Sequence, residues 1–302
     1  MIPSKVDSSD PEKSGAKVEI AGNLVLVQGK TPNQIVLKKT RKSGSFVNFL
    51  KFQNELRFYS FFSKANLQYL KVPRVYGVNP GKAIYLEYLK GAVIPNFKLP
   101  EFVPAYVEFQ HLDIPHNPVI DRINQSFRGF DYKIGGVALL TLSRRESLKL
   151  AFKITQIYLE CHDQQPALER KYWQHGDLHR RNVIRGEDNM LYFIDFENCF
   201  YTKKWPLCEI LGECIVCEED GIQFHPELFL MYWKSLPTDS PLLKLDLALQ
   251  LRFAMLRKAL HVILQSQFEF RRNYYRQFLR EKLVDREFHD WSRSVLSGIQ
   301  GF

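Results

Sequence analysis

The fourteen residues from Asn182 to Asp195, NVIRGEDNMLYFID, constrain this chain more than any other stretch. NVI and MLYFI are strand-like, RGEDN between them is a turn, and together they read as a β-hairpin. A hairpin brings its ends together, so Asn182 and Asp195 must share one mouth. Asp177 lies only five residues before Asn182, in HGDLHRRN, and is kept close by the chain. Apolar strands exclude charge, so an acid closing the run LYFI needs a reason. Two carboxylates and an amide gathered from separate positions are hard oxygen donors, suited to a magnesium ion shared with substrate phosphates. A carboxylate left over can accept a proton from an attacking hydroxyl. Turn-making explains Asp177 or Asn182 singly. The whole string points to phosphoryl transfer.

The chain has 302 residues, enough for one large domain or two lobes sharing a cleft, and its 45% hydrophobic content suffices for a core. No stretch approaches the ~18–20 consecutive apolar residues of a membrane helix. The polar opening MIPSKVDSSDPEKSGAK lacks the apolar core of a secretory signal, so residues 1–16 read as a disordered tail and cytoplasmic residence is expected. Five cysteines without an export signal argue against a disulfide framework. Cys214 and Cys217 form a CxxC, but Cys199 and Cys208 do not supply a second pair at zinc spacing. CEILGECIVC reads instead as a buried helix.

The net charge of +9 favours anionic partners without choosing among them. Basic residues are densest in KKTRK (38–42) and FRRNYYRQFLREK (270–282). The second interleaves aromatics with arginines, as nucleic-acid surfaces do. Its apolar residues also recur at helical spacing, which favours a core-facing helix with a solvated basic face.

Along the chain, KVEI, LVLVQ and QIVLKK alternate with turn signals over residues 17–39, an antiparallel strand pattern. A helix is expected over 46–64, then two strands around NPGK in VPRVYGVNPGKAIYLEYLKG. The remainder reads as helices near 101–111, 144–163, 205–218, 226–235, 241–266 and 270–298, interrupted by the hairpin. The expected architecture is α+β: a small antiparallel-sheet lobe with one helix (17–90) and a larger, mainly helical lobe (91–302).

HGDLHRRN followed by YFIDFE resembles the catalytic and metal-binding segments of the protein-kinase-like superfamily, and more specifically the aminoglycoside, choline and related small-molecule phosphotransferases. The D-L-x-x-x-N spacing from Asp177 to Asn182 fits the kinase signature, and His179 stands where protein kinases usually carry lysine. The resemblance implies a bilobal protein-kinase-like fold with ATP and Mg2+ as cofactors. It implies Asp177 as catalytic residue and Asn182 and Asp195 as metal ligands.

It also implies a strand lysine on the α/β-phosphates, paired with a helix glutamate. Lys38, with Glu55, is taken for that pair, and alternation then makes Val36 the roof over adenine. Lys39 takes the other face and is the weaker choice. YLEYLKG resembles the inter-lobe hinge, with Glu87 and Leu89 offering backbone groups to the adenine edge.

Some features depart from the pattern. There is no GxGxxG, only Ala21-Gly22-Asn23 between the first strands. Gly29-Lys30-Thr31 is not a Walker loop, because Leu24 stands where that motif needs glycine. Arg180-Arg181 replace the usual Pro-Gly and face either an anionic substrate or solvent. Glu209 stands where the family often has an aspartate that steadies the catalytic loop. Glu213, Glu218, Glu219 and Asp220 read as either a site for a cationic acceptor or a solvated helix end. The implied activity is ATP- and Mg2+-dependent phosphorylation of a small-molecule or sugar hydroxyl. An atypical protein kinase and a non-catalytic nucleotide-binding scaffold are the alternatives.

Overall fold

The computed structural model describes residues 18–21, 24–28, 35–40, 45–79, 81–97, 99–122, 148–218, 221–265, 268–281 and 296–297. The expected tail, the turn at Gly22-Asn23, Gly29-Lys30-Thr31, and Glu219 and Asp220 lie outside these residues. Among the described residues no helix is long and apolar enough to cross a membrane.

The described chain falls into two compact units. The first runs to Phe97 and takes in Asp113–Ile120 and His179–Cys199. Strands β1 (Val18–Ala21), β2 (Leu24–Gln28), β3 (Ile35–Thr40), β4 (Val75–Asn79) and β5 (Ala83–Glu87) form its main sheet, ordered β1-β2-β3-β5-β4. All the pairings are antiparallel. Strands β2 and β3 flank Gly29-Lys30-Thr31 as antiparallel partners, whereas a Walker loop leads from strand to helix. Register places Lys39 opposite Leu24 and Ile84, and Leu37 opposite Leu26 and Leu86. Cross-strand partners and alternate residues share a face. Ile84 and Leu86 are buried, so Lys39 belongs to the covered face of the sheet.

Helix α1 (Phe46–Phe62) begins at Ser45, whose hydroxyl accepts from the Asn48 N–H at 3.1 Å and satisfies one orphan donor of the first turn. Its buried side chains include Leu50, Asn54, Phe58 and Phe62, one per turn, flanked by Glu55 and Tyr59. Two polar groups inside such a stripe demand partners, because burying them unpaired costs about 1–3 kcal/mol each.

The expected hairpin is present as β8 (Val183–Gly186) and β9 (Leu191–Phe193), joined by β6 (Gly91–Val93) in a three-stranded sheet ordered β6-β8-β9. Gly91 is required by close approach: a Cβ there would stand 2.2 Å from the Arg185 carbonyl oxygen. These pairings group the hairpin with the first unit.

The second unit comprises Lys98–Leu112, Asp121–Leu178 and Phe200–Phe302. It contains α2 (Phe102–Gln110), α3 (Leu148–Gln164), β7 (Tyr172–Gln174), β10 (Phe200–Thr202), α4 (Cys208–Glu213), β11 (Ile215–Glu218), β12 (Gly221–Phe224), α5 (Glu227–Ser235), α6 (Leu247–Gln265) and α7 (Glu269–Glu281). Its core gathers Phe102, Tyr106, Phe109, Phe229, Tyr232, Leu251 and Phe253.

Sequence expectation and structure part here in two places. CEILGECIVC is not one helix: α4 stops at Glu213 and the chain reverses through the β11–β12 hairpin. The β-branched pair Ile215-Val216 favours strand, and Asp-Gly at 220–221 is a hairpin signal. Of its cysteines, Cys208 and Cys214 are buried and Cys217 partly so, and none of the chain's five is bonded to another. The helix expected over 241–266 is a 3-10 turn, Pro241–Lys244, then α6, because Asp246 accepts from the Leu249 N–H at 3.0 Å and starts a new helix. Helix α7 is described only to Glu281. It buries Tyr275, Phe278 and Leu279 at helical spacing, and Glu269 binds both Arg272 and Arg276. The helix faces the core as expected; of its basic residues Arg271 is exposed, and Arg272 and Arg276 are partly buried.

Candidate active site

Within the first unit, strand β3, helix α1 and the turn after β9 meet at one largely enclosed cation. The Lys39 ammonium donates to Glu55 at 2.9 Å and to Asp195 Oδ1 at 2.7 Å, and lies 4.0 Å from Glu197. The lysine that pairs with Glu55 is therefore Lys39, one residue beyond the expected Lys38. The reason is register: a strand's alternate residues take opposite faces, and the covered face of this sheet is that of Lys39. The side chains of Lys38 and Val36 are outside the described ones; Val36 pairs by backbone with Val27 and Glu87.

Burial opposes charge on Lys39, but Glu55, Asp195 and Glu197 outweigh it and hold the ammonium well above its ordinary value. Burial pushes the Glu55 carboxyl up to about 7, with Lys39 offsetting part of the rise. Lys51, one turn before Glu55 on α1, takes the other oxygen of Glu197 at 3.1 Å. Three carboxylates thus face two ammoniums, which with Glu55 ionised leaves one negative charge in excess. Ligand oxygens of Glu55, Asp195 and Glu197 lie within 4.8 Å of one another. Hard oxygen donors with surplus negative charge fit a magnesium ion.

Asp195 follows β9 in the left-handed region, at φ 66° and ψ 57°, and opens a 3-10 turn, Phe196–Asn198. Phe196 is fully buried among Phe58, Tyr59 and Phe62, with ring centroids at 5.6, 5.4 and 4.9 Å. Burying that ring contributes about 1.5–3 kcal/mol to holding the turn on α1. Asn182 closes another 3-10 turn, Arg180–Asn182, capped by His179, whose Nδ1 accepts from the Arg181 N–H at 3.2 Å. The Ile194 N–H donates to the Asn182 carbonyl at 3.1 Å, so the hairpin brings Asn182 and the Asp195 segment together as its topology requires. Arg180 and Arg181 are both exposed.

Asp177 belongs to the second unit, in the loop after β7. The two residues before it are anchored by Glu209, on α4. Its Oε2 accepts from the His175 N–H at 2.8 Å and its Oε1 from the Gly176 N–H at 2.7 Å. Gly176 stands at φ 77°, which a side chain would resist. Tyr106 on α2 adds a third donor to Glu209 at 3.0 Å, and Gln110 joins Tyr232 to the Pro206 carbonyl behind it. Burial, then the nearby Glu209 charge, pushes the Tyr106 hydroxyl pKa well above its ordinary value, so it remains a donor. Glu209→Gln should lower the melting temperature, because one backbone N–H would then face an amide N–H. The expected loss is about 2 kcal/mol, read as a shift of roughly 4–8 °C.

Elsewhere, Glu87 donates its N–H to the Arg74 carbonyl at 2.8 Å and its carboxylate accepts from the Arg74 N–H at 3.1 Å. Leu89 is partly buried in the irregular stretch between β5 and β6. Glu213, a candidate contact for a cationic acceptor, is engaged by Lys258 at 3.3 Å. The sequence reading missed Glu197, Lys51 and Asn54. The one available signal for Glu197 was a second acid two residues after Asp195.

Three solved structures share this fold. The choline kinase LicA of Streptococcus pneumoniae is 14% identical, at TM-score 0.52, over 88% of this chain and 92% of its own. An aminoglycoside phosphotransferase of Alicyclobacillus acidocaldarius is 12% identical, at TM-score 0.51, over 95% and 93%. The macrolide 2′-phosphotransferase MphH of Brachybacterium faecium is 8% identical, at TM-score 0.52, over 93% and 91%. At these identities the likeness is one of fold, and the expected kinase-like fold is borne out. No curated protein matches the chain. The match to the phosphotransferase enzyme family spans residues 21–233, most of the sequence, and the chain belongs to that family.

Proposed function

We propose that the chain transfers the γ-phosphate of ATP to a hydroxyl of a small molecule or sugar. The observation that carries this reading is the triad in which Lys39 bridges Glu55 and Asp195. Asp195 and Asn182 would hold Mg2+, whose contribution when bound is to offset charge on the phosphate oxygens. Lys39, fixed by Glu55, orients the α- and β-phosphates. Asp177 orients the acceptor hydroxyl and takes its proton as the oxygen bonds to the γ-phosphorus and the bridge to the β-phosphate breaks, releasing ADP. The transition state is loose, so positioning and electrostatics supply most of the acceleration.

With Lys39 as the phosphate lysine, the roof over adenine passes from Val36 to Leu37, two residues before it on the same face and opposite Leu26 and Leu86. Glu87 spends its N–H on Arg74, so its carbonyl is the group offered to adenine, alongside the Leu89 N–H. Choline, aminoglycosides and macrolides are named for the structural relatives and mark the kind of acceptor to try.

Calorimetric titration with ATP, with and without Mg2+, tests the first half. A screen for ADP release across sugars, amino alcohols, aminoglycosides and a protein panel tests the second. Magnesium-dependent binding with turnover on a small hydroxyl compound is expected. Binding with no turnover on any acceptor would favour the scaffold, and turnover only on proteins an atypical protein kinase.

A further inference from the structure

We infer that Asn54 is a positioning residue for Asp195, locking the left-handed turn that carries this carboxylate so that it meets magnesium correctly. The inference rests on the phosphotransferase reading above and adds a residue to it.

Asn54 is fully buried in the middle of the α1 stripe. Its amide nitrogen lies 2.9 Å from the carbonyl oxygen of Cys199, 3.2 Å from that of Phe196 and 3.3 Å from that of Glu197. Its Oδ1 accepts from the Arg57 guanidinium at 2.7 Å. Guanidinium has only donors and carbonyls only accept, so this amide has one possible orientation. The two amide hydrogens are shared among three carbonyls of one short turn, and that of Phe196 also accepts from the Cys199 N–H at 3.2 Å.

The turn has other fastenings to the same helix: Phe196 against Phe58, Tyr59 and Phe62, and Lys51 on Glu197. The rings and Lys51 hold side chains, and the Tyr59 hydroxyl also meets the Asp195 backbone. Asn54 holds the backbone that follows, through three carbonyls, and the backbone is what is unusual. Asp195 has φ 66°, and a non-glycine residue stays in that region only when its surroundings over-determine it. Without the amide, the turn can relax toward ordinary dihedrals while Phe196 stays docked. The Asp195 carboxylate would then lose its aim without loss of the fold.

The test is ATP binding to the full chain, titrated across Mg2+ concentrations, for wild type, Asn54→Ala and Arg57→Ala. Asn54→Ala is expected to raise the half-saturating Mg2+ about 10- to 100-fold, the usual cost of removing a group that orients a metal ligand. Nucleotide affinity without Mg2+ should stay unchanged. Arg57→Ala, which frees the amide to rotate, should shift the Mg2+ requirement the same way by less. A folded Asn54→Ala chain with an unshifted requirement overturns the inference, since a merely structural fastening would leave it unmoved. Should Asn54→Ala not fold, Arg57→Ala decides by the same criterion. Failure of the wild-type chain to bind nucleotide with Mg2+ overturns the phosphotransferase reading and this inference together; an intact wild type beside an unshifted variant overturns the inference alone.

Discussion

Lys39→Met is expected to lose both turnover and stability, whereas Lys38→Met keeps both near those of the unaltered chain. Glu55 is fully enclosed, and Lys39 is the cation that reaches it. Breaking a buried pair from one side strands the other charge, at a typical cost of about 3–5 kcal/mol. Glu55 can escape part of that by taking a proton, because burial already lifts its carboxyl to about 7 with the lysine in place. The destabilisation should therefore fall at the lower end, about 3 kcal/mol, or roughly 6–12 °C in melting temperature. Turnover should drop at least about 10²-fold with loss of the phosphate contact. Thermal melts and initial rates on both variants check this. A larger loss on both measures in Lys38→Met would return the pairing to the neighbouring residue.

Asp195 should behave in the opposite way, with activity lost and the fold kept. It is one of three carboxylates around Lys39, and its side chain is the most exposed of them at 31%. Removing it leaves Lys39 on Glu55 and relieves the surplus negative charge. The two informative variants differ in backbone. Asparagine tolerates left-handed dihedrals, whereas alanine there costs about 1–2 kcal/mol. Asp195→Asn should melt within about 2–3 °C of wild type, and Asp195→Ala should melt several degrees lower. Both should lose turnover by about 10³-fold or more, since neither restores a charged oxygen ligand. Near-normal rates in either would remove Asp195 from the site.

The parts of this protein legible in its sequence are those where local pattern and topology agree. The hairpin around RGEDN forced Asn182 and Asp195 to one mouth, and the backbone bond from Ile194 to Asn182 is that constraint realised. The substitution of Glu209 for aspartate was visible because HGD announces where its anchor must be. The choice between Lys38 and Lys39 was not legible, since two adjacent lysines satisfy the same composition and only register says which face is covered. Ile84 and Leu86 carried that information, but from a strand more than forty residues away. Asn54 was invisible for a related reason: a buried amide in a helix looks polar and ordinary until the carbonyls it serves arrive from residues 196–199. The reversal after Glu213 was missed because CEILGECIVC is mostly apolar on both sides of that residue, and periodicity cannot separate a buried helix from a helix followed by a strand.

The length of Glu209 has a bearing on engineering. Its carboxylate spans the gap from α4 to the amides of His175 and Gly176 with one methylene more than aspartate has. A chimera that imported α4 with an aspartate would leave both amides short by about 1.5 Å, one carbon–carbon bond. Helix and loop would have to be exchanged as a matched set, with Tyr106 included. This acid acts as a spacer as much as an anchor.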